Sequence, residues 1–393
     1  MELNENKRRI LTREVFIMRK IVPIIMSICF LAASLSSCAS NSTANEQSSA
    51  SQEQVATDNE ETTDNEETTD GEVTMEDEAS KVSIVTTIFA PYDFAREIAG
   101  EAATVTMLLP PGSESHSYEP SPQDIITIQN CDLFIYVGGD SDAWVNQVLD
   151  SMDTSDMKII TLMDCVDVVE EEIVEGMESD HRHEHSNDEY QGHDEEDYHE
   201  HNDEDDHNHD DHDHDEEAEL DEHVWTSPRN VKLIVQRMSD MLCDIDADNA
   251  TNYQARATAY QEQLDELDAK FQAVFDTATR NTVVFGDRFP FRYFADAYDL
   301  EYFAAFPGCS TETEASAATI AFLIDKVKEE GIPVIFHAEL SNQKMASTIS
   351  EETGAKVLEL HACHNVSKDE MENNATYIDI MNKNVENLKE ALN

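Results

Sequence analysis

Residues 82–110 read VSIVTTIFAPYDFAREIAGEAATVTMLLP, and they contain the repeating unit from which we predict the fold class. An apolar run at 82–89 is followed by a helical pattern over 91–100 and by a second apolar run at 104–110. The same alternation recurs in a second series over 282–360. Short apolar runs separated by amphipathic helices predict mainly parallel sheets flanked by helices. The sequence therefore predicts an α/β protein of two lobes.

A long helical pattern separates the two series. Residues 248–279 lack Pro and Gly and place apolar residues at alternating spacings of four and three. These residues are Tyr253, Ala257, Tyr260, Leu264, Leu267, Phe271, Val274 and Ala278. The pattern predicts one rigid helix, roughly 45 Å long, that joins the lobes. The alternative is an amphipathic helix on the surface of one lobe.

The N-terminus carries a targeting signal. Arg19 and Lys20 precede an apolar run, IVPIIMSICFLAA, that is short for a membrane span and is followed by small residues, as in a signal peptide. The run ends in LSSC, which resembles the bacterial lipobox, so we expect cleavage before Cys38 and lipidation of its thiol. The alternative is an ordinary signal peptide, and Met18 is an alternative start.

Five segments follow from these patterns. They are a lipoprotein signal peptide (1–37), a disordered acidic tether (38–80), a first lobe (81–247) containing an acidic His-rich loop (170–222), a linking helix (248–279) and a second lobe (280–393).

The charge of the chain is concentrated in the tether and the loop. The formal net charge is −60. Residues 46–80 hold 13 acidic side chains and no basic one, and residues 170–222 hold 27 with only Arg182 opposing them. Segments so acidic and so poor in apolar residues cannot offset the entropy of ordering. A phosphate backbone would be repelled, so nucleic acid is not an expected partner.

Ten of the fifteen histidines lie in the acidic loop. They are His181, His183, His185, His193, His199, His201, His207, His209, His212 and His214. Imidazoles beside carboxylates supply ligands for divalent ions without a fixed geometry, so we expect loose, rapidly exchanging metal capture. The alternative is a solvated loop whose histidines have no role.

The other five histidines could form one tight site. His116 follows an apolar run in a Pro-rich loop, His223 lies where the acidic loop ends, and His361 and His364 follow the last run, AKVLEL. In open α/β sheets ligands bind beyond the carboxyl ends of the strands, so these segments could meet in one crevice. Three neutral imidazoles there would suit zinc. We expect His337, inside an apolar run, to be a core residue.

Several motifs resemble one family. GSESHSYEPSPQD (112–124), DEHVWTSP (221–228), the long helix, FRYFADAYDLEY (291–302) and ETGAKVLEL (352–360) look like the solute-binding proteins of zinc and manganese ABC importers, the ZnuA and TroA type. The likeness covers 81–393. It implies two α/β lobes joined by a rigid helix, with the metal between them, and its acidic His-rich loop is typical of zinc-specific members.

The resemblance assigns ligands only in part. His116 matches the first family ligand and His223 the second. The family usually has a third histidine before the second lobe's first helix, where this chain has Arg288, a side chain that cannot ligate a cation. We expect Arg288 to pair with a carboxylate such as Asp287 or Glu339, and we expect His364 to replace the missing imidazole, with His361 as the competing choice. Asp287, Glu339 or water would complete the coordination.

The implied function is an extracytoplasmic receptor without catalytic activity. It would be a lipid-anchored monomer at the cell surface or in the periplasm, and would deliver Zn²⁺ to an ABC permease and its ATPase. Manganese is the alternative metal, because Asp287 or Glu339 would suit it. The alternative functions are a surface zinc-storage or adhesin protein and a zinc hydrolase, although no HExxH helix is present.

Five cysteines follow Cys38 in the predicted mature chain: Cys131, Cys165, Cys243, Cys309 and Cys363. Export permits a disulfide, and we expect one between Cys309 and Cys363, which follow strand-like runs. The alternative is five buried thiols.

Overall fold

The computed structural model of the chain describes residues 81–115, 117–178, 219–310 and 314–393. The predicted signal peptide and tether, Cys38, His116 and the ten loop histidines lie outside these ranges. Among the helices that the described ranges contain, none combines the length and apolar character needed to cross a bilayer.

The first lobe is built on four parallel strands. In chain order its elements are β1 (Val82–Thr86), α1 (Phe89–Ala99), β2 (Ala103–Met107), α2 (Pro122–Gln129), β3 (Leu133–Tyr136), α3 (Ala143–Asp150) and β4 (Lys158–Thr161). The strands lie in the order β2-β1-β3-β4. Ser121 caps α2 with a side chain that accepts from the N–H of Asp124, and Pro122 fixes the first turn.

The second lobe repeats this arrangement. Its elements are β5 (Thr282–Phe289), α6 (Arg292–Tyr298), β6 (Glu301–Pro307), α7 (Ala317–Glu330), β7 (Val334–His337), α8 (Lys344–Thr353), β8 (Lys356–Glu359), α9 (Lys368–Glu372) and α10 (Tyr377–Leu392). These strands are also parallel and lie in the order β6-β5-β7-β8. The predicted fold class is confirmed, whereas the predicted segment boundaries stay predictions.

In chain order, two helices separate the strands of the first lobe from those of the second. They are α4 (Pro228–Ile245) and α5 (Ala250–Thr277). The 28 residues of α5 bury every apolar position predicted for the stripe except Ala278, which lies just beyond the helix. The stripe shares one hydrophobic cluster with Phe94 of α1 and Phe294 of α6. Because α5 packs on elements of both lobes, it braces them and is not a surface helix of one lobe.

In each sheet the strand order reverses between two neighbouring strands, β1 and β3 in the first lobe and β5 and β7 in the second. Loops beyond the carboxyl ends of such strands form binding crevices. The segment after β8 crosses to the first lobe. The N–H of Phe89 donates to the carbonyl of His364 at 2.9 Å, and the N–H of Gly112 donates to that of Val366 at 2.8 Å. Loops that follow β1, β2 and β8 therefore meet in one place.

Candidate metal centre

His223 is fully buried just before α4 and is held by a carboxylate. Its Nδ1 lies 3.0 Å from Oδ1 of Asp221, which also accepts the backbone N–H of His223 at 2.8 Å. A proton on Nδ1 directed to Asp221 leaves the lone pair of Nε2 for a metal ion. Burial opposes protonation, but the charge and hydrogen bond of Asp221, together with the charge of Glu222, raise the pKa of His223 overall.

His364 is oriented by a different carboxylate, Glu339, whose side chain is also buried. Nδ1 of His364 lies 3.5 Å from Oε1 of Glu339, which also accepts the N–H of His364 at 2.9 Å. Oε2 of Glu339 accepts the N–H of Ala362 at 2.7 Å. Burial opposes ionisation of Glu339, but the charges of His361 and His364 and these hydrogen bonds hold its pKa well below the usual range.

The structure brings His223 and His364 together. Their ring centroids lie 4.6 Å apart with the planes at 79°, and the ring of Trp225 lies edge to face against His364 at 4.9 Å. Burial lowers the pKa of His364, and the neighbouring charges of His223 and Arg288 lower it further. Two imidazoles from distant segments therefore lie side by side, and His364 favours the neutral form that a metal needs.

The segment that carries His116 lies beside this pair. Nδ2 of Asn365 donates to the carbonyls of Pro110 at 2.8 Å and Ser113 at 2.9 Å. A crevice of about 380 Å³, open to solvent, is lined by Ser113 and Ser115 on one side and by Glu339 and His364 on the other. Among residues 81–115, 117–178, 219–310 and 314–393, no three His, Cys, Asp or Glu side chains converge as a metal site. The described residues alone therefore do not complete a metal site around His223 and His364.

His361 and Asp287 are engaged in other contacts. Nδ1 of His361 accepts the N–H of Cys363 at 3.0 Å. The backbone N–H of His361 donates to Oδ1 of Asn384, and Nδ2 of Asn384 donates to the carbonyl of His361. The oxygens of Asp287 accept the N–H groups of Arg288 at 2.9 Å and Ala338 at 3.3 Å. Both side chains stabilise the backbone around the crevice. His337 is buried at the end of β7, as predicted.

Arg288 pairs with a carboxylate, as predicted, but with neither of the two that were named as examples. Its Nη2 lies 3.1 Å from Oε2 of Glu114, and its Nη1 donates to the carbonyl of Ser310 at 3.2 Å. Asp287 and Glu339 are bonded to backbone amides instead, so the guanidinium reaches across to a carboxylate of the first lobe. Arg288 thereby forms an ion pair between the two lobes at the edge of the crevice.

The predicted disulfide was wrong. Cys309 and Cys363 are both free thiols, as are Cys131, Cys165 and Cys243. The two predicted partners lie in separate surroundings. Cys309 is near Asp221 and Glu171, whereas Cys363 lies in the core beside Glu339 and Asp93. The alternative of free thiols therefore holds, although three of the five are only partly buried.

Two residues at the site were missed from the sequence. Asp221, two positions before His223, orients its ring, and an Asp-x-His pattern would have been the signal for it. Gly308 packs directly on the same ring. A Cβ at Gly308 would lie 2.9 Å from Cε1 of His223 and 3.0 Å from the carbonyl oxygen of Phe289. No sequence signal identifies this close approach, because it joins β6 to a segment of the other lobe.

The chain is similar to a family of zinc-uptake components and to several zinc-binding proteins. The family described as zinc-uptake complex component A, periplasmic, matches residues 84–391. A zinc-binding protein AdcA of Streptococcus pyogenes is 32% identical over 312 residues, which are 79% of this chain and 56% of the relative. The chain thus spans little more than half of the length of these streptococcal relatives. The high-affinity zinc uptake system protein ZnuA of Bacillus subtilis is 29% identical over 80% of this chain and 89% of the relative.

Solved structures of zinc-binding and laminin-binding proteins also match the chain. The Zn(II)-bound ZnuA-like domain of Streptococcus pneumoniae AdcA matches with a TM-score of 0.60 and 27% identity, over 80% of this chain and 99% of that domain. A laminin-binding protein of Streptococcus agalactiae, Lmb, matches with a TM-score of 0.61 and 23% identity over 79% of this chain and all of that one. The second likeness concerns the fold alone.

Proposed function

Because the chain belongs to the family of periplasmic zinc-uptake components A, we propose that it captures Zn²⁺ between its two lobes and delivers it to an ABC-type importer. The observation that carries the proposal is the pair of imidazoles, His223 and His364, each held at Nδ1 by a buried carboxylate. Such carboxylate–histidine pairs fix the tautomer that presents Nε2 to a metal. The pair comes from segments of opposite lobes.

The third ligand in this proposal is His116. It lies in the loop that Asn365 binds through the carbonyls of Pro110 and Ser113, and Asn365 directly follows His364. Three neutral imidazoles with an open fourth position match the ligand preference of zinc more closely than that of manganese. The Zn(II)-bound relative supports the same metal.

For the fourth position we propose water rather than Asp287, Glu339 or His361. The oxygens of Asp287 and Glu339 already accept backbone N–H groups, and Nδ1 of His361 accepts the N–H of Cys363. Moving any of these side chains to the metal would leave a partly buried amide without its acceptor. Glu339 acts instead by orienting His364.

We propose that capture requires little movement of the lobes. Nε1 of Trp225 donates to the carbonyl of Ala362 at 2.7 Å, and the hydroxyl of Tyr377 donates to the carbonyl of Trp225 at 2.9 Å. The N–H of Tyr377 donates to Asp93 at 2.8 Å. These bonds already join the lobes beside the site, so hydrated zinc would exchange its waters for imidazoles in a largely formed crevice.

The cellular setting is part of the proposal. Lipidation at Cys38 would hold the protein outside the cytoplasm, and the acidic tether would let the lobes reach a membrane permease driven by a cytoplasmic ATPase. The histidines of the acidic loop would collect zinc near the crevice. We propose that the receptor acts as a monomer and carries out no chemical turnover.

Zinc competition with a fluorescent chelator tests the assignment. The wild-type protein should bind one Zn²⁺ tightly, and His223→Ala and His364→Ala should each weaken that binding more than tenfold because each removes a ligand. His361→Asn is the matched control from the same loop and should retain it. If His364→Ala kept tight zinc binding and His361→Asn lost it, His361 and not His364 would be the ligand.

A further inference from the structure

The indole of Trp225 contacts both imidazoles of the proposed metal site, and Trp225 is only 1% exposed. Its ring meets that of His364 edge to face, with the centroids 4.9 Å apart, and is tilted against that of His223 at 5.5 Å. Protein interiors are close-packed, so a displaced side chain must push its neighbours aside. Either imidazole would therefore have to move against the same indole in order to change its position.

Trp225 is linked to His223 by a short, closed turn. Only Val224 separates the two residues, and Val224–Thr226 forms a short 3₁₀ helix whose three residues are all buried. The carbonyl of His223 accepts the backbone N–H of Thr226 at 3.1 Å and its hydroxyl at 2.8 Å. Because the turn is buried and closed by two hydrogen bonds, the backbone at His223 and at Trp225 forms one unit of the first lobe.

The same indole is bonded to the loop that carries His364. Its Nε1 donates to the carbonyl of Ala362, two residues before His364, at 2.7 Å. The carboxylate of Glu339 accepts the backbone N–H groups of Ala362 at 2.7 Å and of His364 at 2.9 Å. Ala362 is thus held from the first lobe through its carbonyl and from the second lobe through its N–H. The hydrogen bond from Trp225 therefore fixes the start of the His364 segment relative to His223.

A third contact fixes the backbone of Trp225 to α10 of the second lobe. The hydroxyl of Tyr377 donates to the carbonyl of Trp225 at 2.9 Å. The N–H of Tyr377 donates to Oδ2 of Asp93, in α1 of the first lobe, at 2.8 Å. Tyr377 and Asp93 are both fully buried. Trp225 is therefore held through its backbone as well as through its ring.

From these contacts we infer that Trp225 is a positioning residue for the metal, which sets the separation of the His223 and His364 imidazoles across the two lobes. The inference rests on the proposed function, because that function makes the two rings ligands. Imidazole nitrogens bind zinc at about 2 Å, so a small displacement of one ring is enough to weaken coordination. Asp221 and Glu339 orient the rings, whereas Trp225 fixes the distance between them.

Trp225→Phe tests the inference, because it keeps a ring and removes the N–H that the carbonyl of Ala362 accepts. Competition with a chelator should show at least tenfold weaker zinc binding. The visible absorption of bound Co²⁺ should also change, because it depends on coordination geometry. Tyr377→Phe removes only the hydroxyl bonded to the carbonyl of Trp225 and should change both measurements in the same direction to a smaller extent. Tyr298→Phe is the matched control and should change neither, because the hydroxyl of Tyr298 donates to Asp268 of α5.

Hydrogen–deuterium exchange on the full chain, freed of metal by dialysis against a chelator, tests the positioning without zinc. In Trp225→Phe the amides of residues 360–366 should exchange at least tenfold faster than in the wild type. Unchanged exchange, or a zinc affinity and Co²⁺ spectrum like those of the wild type, overturns the inference, as do equal changes in Tyr298→Phe. If Trp225→Phe does not fold, Tyr377→Phe decides by the same measurements. Absence of a tight zinc site from the wild type overturns the proposed function instead, so the two failures are distinguishable.

Discussion

The imidazole of His223 meets that of His364 edge to face, with the ring centroids 4.6 Å apart, although the two residues belong to opposite lobes. Each ring has its own carboxylate, Asp221 for His223 and Glu339 for His364. Each carboxylate fixes the orientation of its ring, which in the proposed function would lower the cost of orienting the two rings as ligands.

The first prediction concerns the carboxylate behind His223. Asp221→Asn should weaken zinc binding by about 10–100-fold, because the amide holds Nδ1 less firmly and makes Nε2 a weaker base. The melting temperature should change little relative to the loss of affinity. Asp240→Asn, an exposed substitution on α4, is the control. Equal zinc affinity in Asp221→Asn and the wild type would contradict the orienting role.

The sequence predicted the repeating strands and the linking helix because both depend on local apolar patterns. It favoured His364 over His361 without showing where either ring lies. Between them, Cys363 adopts a positive φ of 63°, a conformation that is uncommon for residues other than glycine. That turn leaves His361 bonded to Asn384 and places His364 against His223. Contacts between lobes decide the outcome, and single-sequence spacing does not contain them.

The second prediction concerns pH. The pKa of His223 is raised above its ordinary value, so protons begin to compete with zinc for this ring at a pH above about 6.5. The pKa of His364 is lowered, so that ring stays neutral to lower pH. Zinc affinity should therefore fall as pH decreases, starting above pH ~6.5. In Asp221→Asn the fall should begin at lower pH, and competition titrations between pH 8 and 5 would detect the difference.

The third prediction concerns stability. Burial raises the pKa of Asp142 to about 7, well above its value in an unfolded chain. The stability that this group contributes is fully present below pH ~4 and is lost as pH rises through 7, by roughly 3–5 kcal/mol at most. Asp142→Asn should lack this dependence. The difference in unfolding free energy between variant and wild type, measured by urea denaturation, should change by that amount between pH 4 and 8, and a constant difference would contradict the burial effect.

The fourth prediction concerns Gly308. Its backbone does not require a positive φ, so Gly308→Ala acts by contact alone, pressing a methyl group against His223 and the carbonyl of Phe289. We expect at least a tenfold loss of zinc affinity with a modest loss of stability. Gly331→Ala is the matched control, because Gly331 caps α7 at a φ of 64° with open space around it. Gly331→Ala should lose stability and keep its zinc affinity. Loss of zinc affinity in Gly331→Ala, with affinity kept in Gly308→Ala, would contradict the contact argument.

The fifth prediction separates the tight site from the acidic loop. The described ends of that loop are tied together, since the N–H of Glu171 donates to the carbonyl of Glu219 at 2.8 Å and Glu170 bridges Leu220. Deleting residues 180–217 and inserting a short Gly/Ser linker should therefore leave His223 in place. Calorimetry should show one tight zinc site in the deletion variant and the loss of weaker additional sites, because those depend on the loop histidines. If the tight site disappeared with the loop, zinc storage in the loop would explain the protein better than capture between the lobes.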